Sequence, residues 1–234
     1  MEQQWWWNVR EGEEVTARQG RAGECVTIRR ARADDAPGAG LLVFEAAPTL
    51  FCLLFGPRQA ETVRALTRLF ALRSNPFGFE QAWVAEQDGQ VIGVMIAATV
   101  DARRRAGRAM WWLLPRVRGP VAMLRRLPEA LAMMRGYASP PEEAYYVGIL
   151  AVAAEHRGHG IGSRLLGEAT EQARNAGCEM TVLHVELDHE DALRFYRRAG
   201  FVETARHIAA PRLARQGIAG FITMARAATL PQSG

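Results

Sequence analysis

The run Val152-Ala153-Ala154-Glu155-His156-Arg157-Gly158-His159-Gly160-Ile161-Gly162 decides how this chain is read. Before it, residues 145–152 are nearly uncharged and rich in β-formers, the pattern of a strand buried on both faces. After it, Ile161, Leu165, Ala169 and Ala173 recur at helical spacing, and Gly177 is placed to end that helix. Glycines at a strand-to-helix junction let the backbone approach a ligand, and the unbonded N–H groups of the helix start favour an anion. A diphosphate is the natural guest. Two familiar phosphate loops do not fit. No Lys-Ser/Thr pair follows for a P-loop, and no GxGxxG stands in register with an acidic residue about 20 positions on.

Arg157-x-x-Gly160-x-Gly162 resembles the Q/R-x-x-G-x-G/A motif of the GNAT superfamily of acyl-CoA-dependent N-acetyltransferases. The likeness extends to the strand before the loop, the helix with Leu165 and Leu166, a strand through Leu183 and Val185, and Ala192-x-x-Phe195-Tyr196-x-x-x-Gly200-Phe201. It is specific over residues 145–202, with a weaker outline over residues 25–226. The resemblance implies a mixed α/β fold. A central, mostly antiparallel sheet would carry a V-shaped splay between two parallel strands, with helices flanking it.

The resemblance also implies chemistry. Acetyl-CoA would be the co-substrate, its pyrophosphate held by backbone amides of Arg157, Gly158, His159, Gly160, Ile161 and Gly162 with Ser163. Leu150, Ala151 and Val152 would run beside the pantetheine arm, and residues 183–187 would splay away to open an acyl slot. His189 stands where the family often has Asn, near the pantetheine or phosphates. Tyr196 matches the family's general acid, which protonates the leaving thiolate. In relatives that acetylate peptide N termini, a carboxylate lies twelve residues before this Tyr; here that position is His184. Period-two geometry puts His184 and Glu186 on one strand face and Leu183, Val185 and Leu187 on the other. A neutral imidazole is a competent base near physiological pH, with Glu186 as a substitute. The implied reaction is transfer of an acetyl or short acyl group to a primary amine by direct attack. The acceptor would be a small molecule or a peptide N terminus. The alternative is a noncatalytic acyl-CoA-binding or interaction module of the same fold.

Outward from this centre, residues 25–31 alternate as a first strand, and Asp34 or Asp35 can cap the next helix. A helix is expected over 57–73, then a hairpin of 82–86 and 91–100 joined by Asp88-Gly89. Asp188 and Asp191 read as a capping box for a short helix ending at Gly200, and 203–209 and 221–225 as last strands. The domain would run over 25–230, with 1–24, including Trp5, Trp6 and Trp7, as an appendage. Residues 101–143 interrupt the pattern with Arg103, Arg104, Arg105, Arg108, Trp111, Trp112 and five prolines. Two short amphipathic helices fit this insertion, as a wall over the amine site, ordinary packing or a dimer contact.

The 234 residues carry 29 basic and 25 acidic side chains, a formal charge of +4, and every cation is Arg. At 49% hydrophobic and 23% charged the chain can build a core and is not mainly disordered. The charge is mild, and no groove motif interleaves aromatics with the Arg cluster, so no nucleic-acid partner is expected. A solvated basic loop is the default, with an acidic partner or membrane surface as a third option. Cys25, Cys52 and Cys178 are far apart without CxxC spacing, so neither disulfides nor a metal site is expected, and the setting is a cytoplasm. The first seven residues lack a secretory pattern. Residues 38–56 are strongly apolar, but Glu45 and Pro48 near the middle favour buried helix and turn over stable membrane insertion. The Trp triplet and apolar insertion leave a homodimer open.

Overall fold

The computed structural model describes residues 26–119 and 139–228, with Leu124, Pro128 and Ala130 between them. Trp5, Trp6, Trp7 and Cys25, and Val121, Leu127, Leu131, Met133 and Met134 of the insertion, lie outside the described residues.

Seven strands form one sheet in the order β1-β2-β3-β4-β5-β7-β6. They are β1 (Thr27–Arg30), β2 (Ala82–Gln87), β3 (Gln90–Thr99), β4 (Ala144–Val152), β5 (Met180–Glu186), β6 (Val202–Ile208) and β7 (Gly220–Ala227). The described helices are α1 (Ala36–Ala46), α2 (Pro48–Phe55), α3 (Gln59–Ala71), α4 (Val100–Arg118), α5 (Ile161–Asn175), α6 (Glu190–Arg198) and the single turn α7 (Pro211–Ala214). Every neighbouring pair of strands is antiparallel except β4 and β5. The β2–β3 turn is made by Asp88 and Gly89 at φ 52° and 77°, the positive pair a tight hairpin needs.

Both sheet faces are covered. On one, α5 and α6 bury Leu165, Leu166, Ala169, Leu193 and Tyr196 against Met95, Val147, Leu183 and Val185. On the other, α1, α2 and α3 bury Val43, Phe44, Phe51, Leu66 and Phe70 against Val84, Val94 and Ile96. The apolar stretch 38–56 belongs to this second core. It is bent by 104° between residues 33–46 and 48–55, where Pro48 opens α2. Among the described residues no single helix is long and apolar enough to cross a membrane.

Three local readings need correction. Asp35 does not cap α1. It accepts the Arg32 N–H at 2.6 Å and pairs with Arg29 at 2.7 Å, tying β1 to the helix entry, while α1 starts without a side-chain cap. The cap of α6 is His189, whose Nδ1 accepts the Ala192 N–H at 3.3 Å, rather than Asp188. The first part of the insertion is one helix of 19 residues that leaves β3 with no intervening loop. Thr99 Oγ1 accepts the Ala102 N–H to start it, and Pro115 lies inside it near the end, where its missing N–H leaves the Trp111 carbonyl without its helical partner. Met110, Leu114 and Val117 pack on the second core, and Arg104, Arg105 and Arg108 are exposed on that helix, not on a separate loop, while Arg103 is half-buried.

Candidate functional site

Strands β4 and β5 are paired only from Ala144↔Met180 to Val147↔Leu183, although both continue beyond. From Gly148 to Val152, therefore, β4 has no strand partner on its β5 side. This is the V-shaped opening that the family resemblance implies. An open strand edge presents backbone N–H and C=O groups that must bond to something, and an extended amide-bearing arm suits them. The register between β3 and β4 steps from Ile96↔Ile149 to Ala97↔Val147, which leaves Gly148 as an extra residue at the point where the strands part. Such a bulge re-aims the backbone away from the ladder.

The loop follows directly. Gly158 and Gly160 sit at φ 81° and 79°, with open space around the position a Cβ would take. Conformation, not crowding, explains these two glycines. Gly162 differs: a Cβ there would stand 3.1 Å from Phe195 Cζ, so its bareness lets α5 pack against α6. Gly160 is the N-cap of α5 and no side chain caps that end, which leaves its first amides for a ligand. Arg157 Nε donates to Val152 O at 2.9 Å and fixes the loop to the end of β4. Ile161 is buried beneath the loop, whereas Ser163 and His159 are exposed on it. Leu150 and Val152 face the α5–α6 side, and Ala151 faces the other core.

Two groups of polar side chains flank the opening. Tyr196, on α6, is 9% exposed and packs against Phe195 and Phe201 at ring-centroid distances of 5.2 Å and 5.8 Å. Burial pushes its phenol well above the ordinary tyrosine range, and the nearby Tyr146 pushes it further. It keeps its proton at any physiological pH, as an acid must. His184, on β5, is the first residue past the last paired rung, and its Nδ1 lies 2.9 Å from the Tyr146 hydroxyl. The Arg103 guanidinium stacks over the Tyr146 ring at 4.5 Å. Glu186, two residues further out, is half-buried, and its Oε1 is buried with no hydrogen-bond partner among the described residues.

Burial raises the proton affinity of Glu186, Asp188 raises it further, and His189 partly offsets both. For a carboxyl raised in the folded state, the favourable contribution is complete below the ordinary value of 4.5 and is lost as pH rises through the folded value. Glu186→Gln is accordingly expected to raise the melting temperature at pH 7.5 by roughly 2–4 °C and to leave it unchanged at pH 4. Calorimetric melts at both pH values check this; an equal gain at both, or a loss at pH 7.5, contradicts it.

The structure brings Leu150 to Ser163, His184, Glu186 and Tyr196 around one opening. It holds His189 in its capping bond at the start of α6. Sequence reading assigned Tyr146 and Gly148 no role and took Arg103 only as part of a basic cluster. A glycine inside an apolar strand was a usable signal for the bulge. Tyr146 could not be tied to His184 without the parallel register that sets Tyr146 against Val182. Among the described residues no three His, Cys, Asp or Glu side chains cluster as a metal site.

The fold joins two diverging parallel strands to a glycine loop and an uncapped helix start. The chain belongs to the acetyltransferase (GNAT) family, whose model matches residues 49–201. It is 39% identical over 56 residues to N-alpha-acetyltransferase 30 of Schizosaccharomyces pombe, covering 24% of this chain and 37% of that protein. It is 46% identical over 55 residues to aminoalkylphosphonate N-acetyltransferase of Salmonella typhimurium, covering 24% and 36%. The matches thus span little more than a third of these curated relatives' length. An N-acetyltransferase structure from Staphylococcus aureus Mu50 shares the fold at a TM-score of 0.64 and 18% identity, over 85% of this chain and 99% of that one.

Proposed function

We propose that the protein is an N-acetyltransferase that moves an acetyl or short acyl group from acetyl-CoA to a primary amine. The observation that carries this reading is the open β4 edge, continuous with an uncapped helix start and flanked by Tyr196 and His184. The residues suit acetyl-CoA. The α5 amides and the loop from Arg157 to Ser163 would hold its diphosphate, and β4 from Gly148 to Val152 would pair with its pantetheine amides. Bound there, acetyl-CoA supplies an activated thioester, whose C–S bond breaks as the new C–N bond forms. His184 takes the proton the attacking amine must lose, with Tyr146 fixing its ring through the 2.9 Å contact. Tyr196 gives its proton to the departing sulfur. The backbone N–H at the Gly148 bulge is the donor best placed to meet charge developing on the carbonyl oxygen. This division of labour favours turnover over a noncatalytic binding module.

The two relatives' names point to a protein N terminus or an aminoalkylphosphonate as acceptor. The described cysteines, Cys52 and Cys178, are free thiols, which fits work in the cytoplasm. The test is release of free CoA thiol from acetyl-CoA in the presence of a panel of amines and peptides. Amine-dependent release supports the reading, and none across the panel overturns it. His184→Gln is expected to lower kcat by about 100-fold and to flatten the acidic limb of the pH–rate profile, because a base works only when unprotonated. An unchanged acidic limb would move the base elsewhere, with Glu186 next in line.

A further inference from the structure

Arg103 is the feature of the site that the proposed chemistry leaves unused. It lies in the first turns of α4, the helix that springs directly from β3. Its guanidinium carbon is 4.5 Å from the centre of the Tyr146 ring, and Tyr146 in turn contacts His184. Its Nη1 would be 3.0 Å from a Cβ built on Gly148, which places the charge directly above the bulge where the strands part. The neighbouring arginines are occupied: Arg104 pairs with Glu142 at 2.8 Å, and Arg105 pairs with Asp101. Arg103 makes no ion pair among the described residues. Glu186 does not pair with it either among the described residues.

A ring contact holds a guanidinium by its charge. Arg103 makes no hydrogen bond among the described residues, so the contact with Tyr146 positions it while most of its five N–H donors stay available. An oriented, uncompensated fork beside the base matches a planar carboxylate or a phosphonate, the partners a guanidinium binds bidentately. The same charge repels a second ammonium group on an incoming amine.

We infer that the acceptor is a small primary amine carrying its own carboxylate or phosphonate on a short carbon chain, with Arg103 as the anchor for that acid group. The inference rests on the acetyl-transfer reading and deepens it. The amine is presented to His184 because the acid group is held at a fixed distance from it. Polyamines and cationic acceptors are disfavoured by the same residue.

The experiment compares kcat/KM for β-alanine and aminoethylphosphonate with that for propylamine and β-alaninamide. It uses wild type, Arg103→Gln and Arg103→Lys, with acetyl-CoA titrations and thermal melts alongside. Wild type is expected to favour the acidic amines by about tenfold or more. Arg103→Gln should lower kcat/KM for them by about 10- to 100-fold, through KM, and leave the neutral amines within about threefold. Arg103→Lys should retain part of the preference, because the point charge survives without the fork. Equal loss on acidic and neutral amines would make Arg103 a support for Tyr146 and overturn the inference. So would a wild type without preference for acidic amines, a result that needs no variant to fold. A wild type that transfers acetyl to no amine would instead remove the underlying function.

Discussion

Tyr196→Phe should lower kcat by about 100- to 10,000-fold while acetyl-CoA affinity changes by less than about threefold. The substitution keeps the ring that packs against Phe195 and Phe201 and removes only the hydroxyl. Folding should therefore survive, and thermal melts of the variant check this. The hydroxyl matters because the departing thiolate needs a proton, and burial keeps the phenol protonated well above the ordinary value of 10.0. The sign follows from the direction of that shift. An acid acts only while protonated, so a raised pKa means Tyr196 causes no alkaline fall in wild-type rate up to pH 10. Steady-state kinetics with saturating amine read both effects. A variant within tenfold of wild type would mean that water protonates the sulfur and Tyr196 serves packing alone.

How much of this was legible in the sequence depends on which interactions each part needs. The loop was legible because its demands are local. Gly158 and Gly160 are required by positive φ, and the helix after them shows its buried stripe in the spacing of Ile161, Leu165, Ala169 and Ala173. The hairpin was legible for the same reason, through Asp88-Gly89. The α4 helix was not. Its boundary is set by Thr99 and by burial of Val100, while five prolines and an Arg run over 101–143 suggested a break. Pro115 removes one bond, to the Trp111 carbonyl, and the helix continues for only three residues beyond it. Helix caps also misled, because Asp35 found a stronger partner in Arg29 and His189 displaced Asp188.

Site residues divide along the same line. Tyr196 and His184 could be marked through the family resemblance, by their positions in its motif. The contact of His184 with Tyr146, the stacking of Arg103 and the bulge at Gly148 arise from pairing across β3, β4 and β5. No periodicity within one segment encodes those.

The Gly158–Gly160–Gly162 loop is expected to hold the diphosphate of acetyl-CoA. Asp at positions 160 and 162 would set carboxylates against that diphosphate at the helix start. A carboxylate at a helix N-terminus is otherwise favourable, so the free protein should remain folded. Space at position 160 is open, and at 162 the flexible Phe195 ring must give slightly. Gly160→Asn, neutral and tolerant of the same φ, separates charge from shape. The deciding measurement is calorimetric titration of wild type, Gly160→Asn and the Gly160→Asp, Gly162→Asp double variant with acetyl-CoA. Wild type is expected to bind, Gly160→Asn to weaken binding modestly, and the double variant to raise Kd by about 100-fold or more, ~2.7 kcal/mol. A folded wild type that does not bind acetyl-CoA, or a double variant that binds as wild type does, would contradict this expectation.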